Sequence, residues 1–198
     1  MKVSFNELDA MAKKAARGIG CPWGMAEEAG KAARWLCARG EDGGRLLAGH
    51  LTAAETCCCS DWDRAQRCPL RVGALLGDSL DVLAGDESLT FDEVGHPLLV
   101  AAFVVREEGC VVIAWEDATV VVSHEAMKAG GAALHADTGV NLRCTAQHDA
   151  LPVEPWLSRA EVDETAWATL MTLAHRTYAP ATDESRAKGA GANLDDND

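Results

Sequence analysis

The chain has 198 residues, 48% of them apolar and 25% charged, a globular composition with enough length for one sizeable core. A net charge of −13 repels polyphosphate and argues against nucleic-acid partners. No apolar run approaches the roughly 20 residues that span a bilayer, and residues 1–7 hold no apolar signal core, so a cytoplasmic protein with no membrane partner is expected.

The first helix is signalled by a capping box, Ser4 with Glu7, followed by Phe5, Leu8, Met11, Ala12 and Ala15 at helical spacing. Gly18 and Gly20 end it, and Cys21-Pro22 opens a second helix over Trp23 to Ala38. Leu46, Leu47 and Leu51 suggest a third, from Gly44 to about Cys57, so that 1–59 forms a mainly helical part. Residues 60–157 are mixed and β-rich. From Ser60 to Pro97 the pattern gives only short pieces; beyond it a three-strand meander is predicted, Leu98–Val105, Cys110–Trp115 and Thr119–Val122. Val140–Gln147 reads as a further strand, with Leu142 and Cys144 alternating against Arg143 and Thr145. A second capping box, Ser158 with Glu161, predicts a C-terminal helix over 158–180, with Val162, Ala166, Leu170, Leu173 and Ala174 buried. Residues 181–198 form a Gly-rich tail that either docks or stays loose. The expected class is α+β, in a single domain.

Eight cysteines, three of them adjacent at 57–59, include no C-x-x-C pair, so small buried thiols are expected and no metal site. His124, His135 and Asp137 match no metal-ligand spacing, and the sequence names no cofactor. No P-loop, nucleophile elbow, H-E-x-x-H or dinucleotide fingerprint occurs.

Two places gather polar groups. On the second helix, Met25, Ala29, Ala32, Ala33 and Leu36 should face the core, with Trp23, Glu27, Gly30, Lys31 and Arg34 opposite. That second face is either a solvated surface with a Glu27–Lys31 pair or the wall of a cleft. Gly30 costs roughly 1 kcal/mol in a helix interior and needs a reason, either a ligand or a close helix neighbour. The other place is the C-terminal run holding Arg176, Tyr178, Ser185, Arg186 and Lys188, whose cations and glycines suit an anion.

The stretches Ser4–Gly18, Pro22–Gly30 and Arg176–Asp198 together resemble a bacterial family known as a domain of unknown function. The resemblance implies an intracellular protein and assigns no reaction and no site residue.

The favoured reading is a cytosolic protein that binds a small anionic metabolite between the second helix and the tail. Trp23, Glu27, Arg34, Arg176, Tyr178, Ser185, Arg186 and Lys188 would form its site. Whether a reaction follows is left open; Glu27 or Glu28, with Tyr178 or His175, would move the proton. The alternative is a non-catalytic accessory subunit, self-associating or docked on a metabolic enzyme through its small-residue helices. A helix-turn-helix regulator over 4–39 is disfavoured by Glu27-Glu28 in the would-be recognition helix.

Overall fold

The computed structural model describes residues 1–56, 61–83, 88–147, 151–153 and 155–178. Cys57–Cys59 and the tail with Ser185, Arg186 and Lys188 lie outside them. The fold is α+β.

Helix α1 (Phe5–Gly18) carries the predicted capping box: Ser4 Oγ accepts from Glu7 N–H, and Glu7 Oε2 accepts from Ser4 N–H at 2.7 Å. Helix α2 (Trp23–Ala38) starts behind Pro22 and runs to the predicted end. Helix α3 (Gly43–Ala54) begins at an Asp42 cap. Its two opening glycines are a packing requirement. A Cβ on Gly43 would run into the Ala33 carbonyl, and one on Gly44 would lie 2.6 Å from Val162 Cγ1. Three short helices follow, α4 (Trp62–Ala65), α5 (Pro69–Asp78) and α6 (Leu80–Leu83).

Strands β2 (Ser88–Gly95), β3 (Cys110–Trp115), β4 (Ala118–Val122), β5 (Met127–Gly130) and β6 (Thr138–Gln147) form an antiparallel sheet in the order β2-β6-β3-β4-β5. The meander exists, but it is β3-β4-β5. Its predicted first strand, Leu98–Val105, is instead a 3-10 helix over Pro97–Phe103. The physical reason is burial on every side: Leu98, Leu99, Val100 and Ala101 are fully enclosed between the helices and the sheet. Such a run carries no periodicity that separates strand from buried helix. The missing strand is β2, in the stretch that read only as short pieces. β6 is buried at Leu142 and Cys144 as predicted, and its alternation breaks at Asn141, where φ is +55°.

The second capping box is also corrected. Ala160–Glu161 forms a strand, β7, paired with the N-terminal strand β1 (Lys2–Val3). The Met1 ammonium donates to Val162 O at 2.7 Å and Lys2 Nζ reaches Glu161 Oε1 at 2.9 Å, so this stretch is held by the chain start. Helix α7 (Glu164–His175) begins later, at an Asp163 cap. Its buried stripe is Ala166, Leu170, Leu173 and Ala174, with Val162 buried just ahead of it. No helix among the described residues is long and apolar enough to cross a membrane.

Candidate functional site

Asp42 joins the two helices that wall a cleft. Its Oδ1 accepts from Arg45 N–H at 2.8 Å, capping α3, while its Oδ2 accepts from Asp163 N–H at 2.8 Å. Asp163 Oδ1 then caps α7 through Ala166 N–H at 2.9 Å. With both starts fixed side by side, α3 presents Arg45, Ala48, Gly49 and Thr52, a single face at i, i+3, i+4 and i+7. From α7 come Thr165, Ala166 and Thr169. The remaining wall is His96 with Asp137 and Thr138, and the open cleft so enclosed measures about 530 Å³.

His96 and Asp137 arrive together because β2 and β6 are paired. Gly95 opposes Thr138, and His96 N–H donates to Asp137 O at 2.8 Å, one step past the ladder. There the chain turns abruptly from strand into the 3-10 helix, and His96 takes a left-handed conformation (φ 42°, ψ 59°). For a residue with a Cβ this costs on the order of 1–2 kcal/mol. Its side chain is only 9% exposed despite lining the cleft. His50, behind it, is equally enclosed, with the two ring centroids 6.3 Å apart in an edge-on arrangement. His50 Nε2 lies 3.6 Å from the Cys68 thiol, and Asp137 Oδ1 lies 3.8 Å from His96 Nδ1. A row of Asp137, His96, His50 and Cys68 thus leads from the surface into the core.

Burial pushes the His50 imidazole down to about 4, and neighbouring His96 adds to the effect. His96 is lowered as well, by burial first; the Asp137 carboxylate and the Gly49 backbone oppose the shift, and Arg45 reinforces it. Both rings are therefore neutral at pH 7. Among the described residues no three His, Cys, Asp or Glu side chains converge as a metal site would require.

Of the site residues expected from sequence, the described ones, Trp23, Glu27, Arg34, Arg176 and Tyr178, lie outside this cleft. Trp23 is exposed, with the Arg17 guanidinium 4.7 Å from its ring. Glu27 faces Lys13 of α1 at 3.7 Å, while Lys31 pairs with Glu28 at 2.7 Å, in place of the expected Glu27–Lys31 pair. Gly30 is buried, and a Cβ there would strike the Asp9 side chain and backbone, so close packing of α1 on α2 explains it. Arg34 and Arg176 are exposed. Tyr178 packs edge-on against His175 at 5.1 Å, with Lys14 Nζ 5.9 Å from its ring. Trp23 and Tyr178 thus both contact the last turns of α1, through Arg17 and Lys14. His135 binds Glu41 at 2.6 Å, and the His124 carbonyl accepts from Arg39, apart from Asp137.

Sequence reasoning passed over Arg45, His50 and His96. Two signals were available: the single-face spacing of Arg45, Ala48, Gly49 and Thr52, and a Gly-His-Pro turn at 95–97 where a strand must end.

Fold and site together define an α+β protein with an open cleft between two helices whose starts are joined through Asp42. Residues 3–74 match the model of a family described as a protein of unknown function (DUF3726). That span includes α3 and so one wall of the cleft; His96, Asp137 and α7 lie beyond it. No curated protein and no solved structure matches the chain.

Proposed function

We propose that the protein binds a small anionic metabolite in the cleft between α3 and α7, with Arg45 as the counter-charge. The observation that carries this reading is the pairing of Gly49 with His96. A helix-interior glycine and a left-handed histidine are each unfavourable by themselves, yet they meet at one cleft wall. Strain of this kind concentrates at binding and catalytic sites. The cleft's size also falls in the range of small-ligand sites. Among the described residues, Cys37, Cys110 and Cys144 are buried thiols outside any disulfide, which suits a reducing cytoplasm.

The test is thermal unfolding of the full chain against carboxylates, phosphates and nucleotides, beside Arg45→Ala. A ligand at about 100 times its Kd stabilises by about 2.7 kcal/mol, a shift of a few degrees. Binding at this cleft predicts a shift that disappears in Arg45→Ala. Arg186→Ala, run in parallel, reports whether the tail contributes a second cation.

A second reading, an accessory subunit, is favoured by one feature. Trp156 and Leu157 are about half exposed and Val153 more so, with Arg39 stacked 4.4 Å from the Trp156 ring. Absence of any shift, together with co-purification of a partner lost in Trp156→Ser, would favour it.

A further inference from the structure

The hydrogen-bonding character of the cleft says more about the ligand than its single cation does. Thr52 Oγ1 donates to Ala48 O at 2.8 Å, and Thr169 Oγ1 donates to Thr165 O at 2.9 Å. Each hydroxyl has committed its proton to its own helix and offers the cleft only lone pairs. The carboxylates of Asp137 and Asp163 are further acceptors at the same cleft, and the Asp137 side chain is almost fully exposed. Against these acceptors stands one cationic donor, the Arg45 guanidinium, which makes no ion pair among the described residues. A ligand carrying only negative charge would satisfy Arg45, be repelled by Asp137, and leave both threonines without a donor.

We infer that the ligand is a small zwitterion, an amino acid or similar amino-carboxylate. Its carboxylate pairs with Arg45, and its ammonium is taken by Asp137 and the hydroxyls of Thr52 and Thr169. An ammonium has three donors and no acceptor, which suits this set of acceptors, while a guanidinium holds a carboxylate through two parallel bonds. Ala48 and Ala166 present only methyl groups at the cleft wall and leave space for a modest side chain. The inference rests on the reading of this cleft as an anion site, keeps Arg45 as the counter-charge to a carboxylate, and narrows the ligand to one that also carries an ammonium.

Isothermal titration calorimetry on the full chain separates the two. The probes are the common L-amino acids, the desamino analogue of the tightest of them, succinate and inorganic phosphate. The expected result is an amino acid bound at least about tenfold more tightly than its desamino analogue, through a charge-assisted contact to the ammonium. Asp137→Asn should erase most of that preference while leaving the unfolding midpoint in place, since the side chain is exposed. Equal affinities for the matched pair would overturn the zwitterion and leave the anion site standing. A preference that survives Asp137→Asn would overturn the assigned ammonium contact. If no amino acid, carboxylate or phosphate binds, the cleft reading and this inference both fail.

Discussion

The imidazole of His96 occupies the space that any side chain at position 49 would need: a Cβ on Gly49 would lie 2.7 Å from His96 Cε1 and 3.0 Å from Nε2. The ring has little room to retreat. His50 packs behind it at 6.3 Å between centroids, and the His96 backbone is tied to Asp137 O immediately before Pro97. Position 49 and position 96 therefore act as one unit, in which the absence of a side chain on the helix permits the burial of a ring on the turn.

Gly49→Ala sets two effects against each other. Helix propensity favours alanine by about 1 kcal/mol, whereas overpacking against an immobile neighbour costs about 1–3 kcal/mol. We expect a net loss of about 1 kcal/mol in urea denaturation, and recovery when His96→Gly is added, because glycine removes both the ring and the left-handed strain. A higher midpoint for Gly49→Ala alone would show that the ring moves freely, and the two positions would not be coupled.

Stability should fall on mild acidification. The folded state holds His50 neutral down to about 4, whereas the unfolded chain takes up a proton near 6.5. Between those values the unfolded state binds the extra proton, so stability is fully present above about 6.5 and drains away as pH falls toward 4. The integrated effect is on the order of 3 kcal/mol. His96, shifted in the same direction, adds to the slope. Glu7, Asp117 and Glu161 are lowered by their hydrogen bonds and partners, so their losses belong to still more acidic conditions. Urea denaturation at pH 7.5 and pH 5 checks this: His50→Gln should flatten the dependence, and an unchanged slope would assign it to other groups.

Asp42 is predicted to matter more than an ordinary helix cap. A lost cap costs about 1 kcal/mol. Asp42 accepts from Arg45 N–H with one oxygen and from Asp163 N–H with the other, so its removal releases the starts of both α3 and α7. Asp42→Ala should cost about 2 kcal/mol and Asp163→Ala about 1 kcal/mol, read from denaturation midpoints. Equal losses would mean that the bond between the two helix starts contributes nothing.

Local signals explain which parts of the fold were legible. The α1 capping box, the Pro22 start of α2 and the alternation of Leu142 and Cys144 in β6 each follow from interactions within a few residues, and each appears in the structure. Residues 98–101 and 158–161 obey contacts from far away in the chain. The first run is apolar because helices and sheet enclose it, and the second is drawn into a strand by Lys2 and Val3 instead of capping a helix. The cleft was hidden for the same reason. Arg45, His96 and Asp137 come from three separate parts of the chain, and only the pairing of β2 with β6 brings two of them to the face of α3. Trp23 and Tyr178, conspicuous as large side chains near charges, were instead gathered onto the end of α1.

Gly30 separates the two explanations that its position in α2 allowed. If it opened a cleft for a ligand, Gly30→Ala would raise stability by about 1 kcal/mol through helix propensity and weaken binding. The structure gives the opposite expectation. A Cβ at position 30 meets the Asp9 carboxylate and comes within 2.9 Å of the Asp9 carbonyl oxygen, so α1 and α2 must separate or Asp9 must rotate. Asp9 Oδ1 is already buried without a hydrogen-bond partner among the described residues, and a methyl group against it would desolvate the carboxylate further. Backbone contact makes the clash hard to relieve, and a loss of about 1–3 kcal/mol is expected. Ligand affinity at the α3–α7 cleft should stay within about twofold, because Gly30 is not among the residues lining that cleft. Denaturation and calorimetry on the same variant read the two quantities independently. A stable variant with impaired binding would return the second helix to candidacy as the ligand's wall.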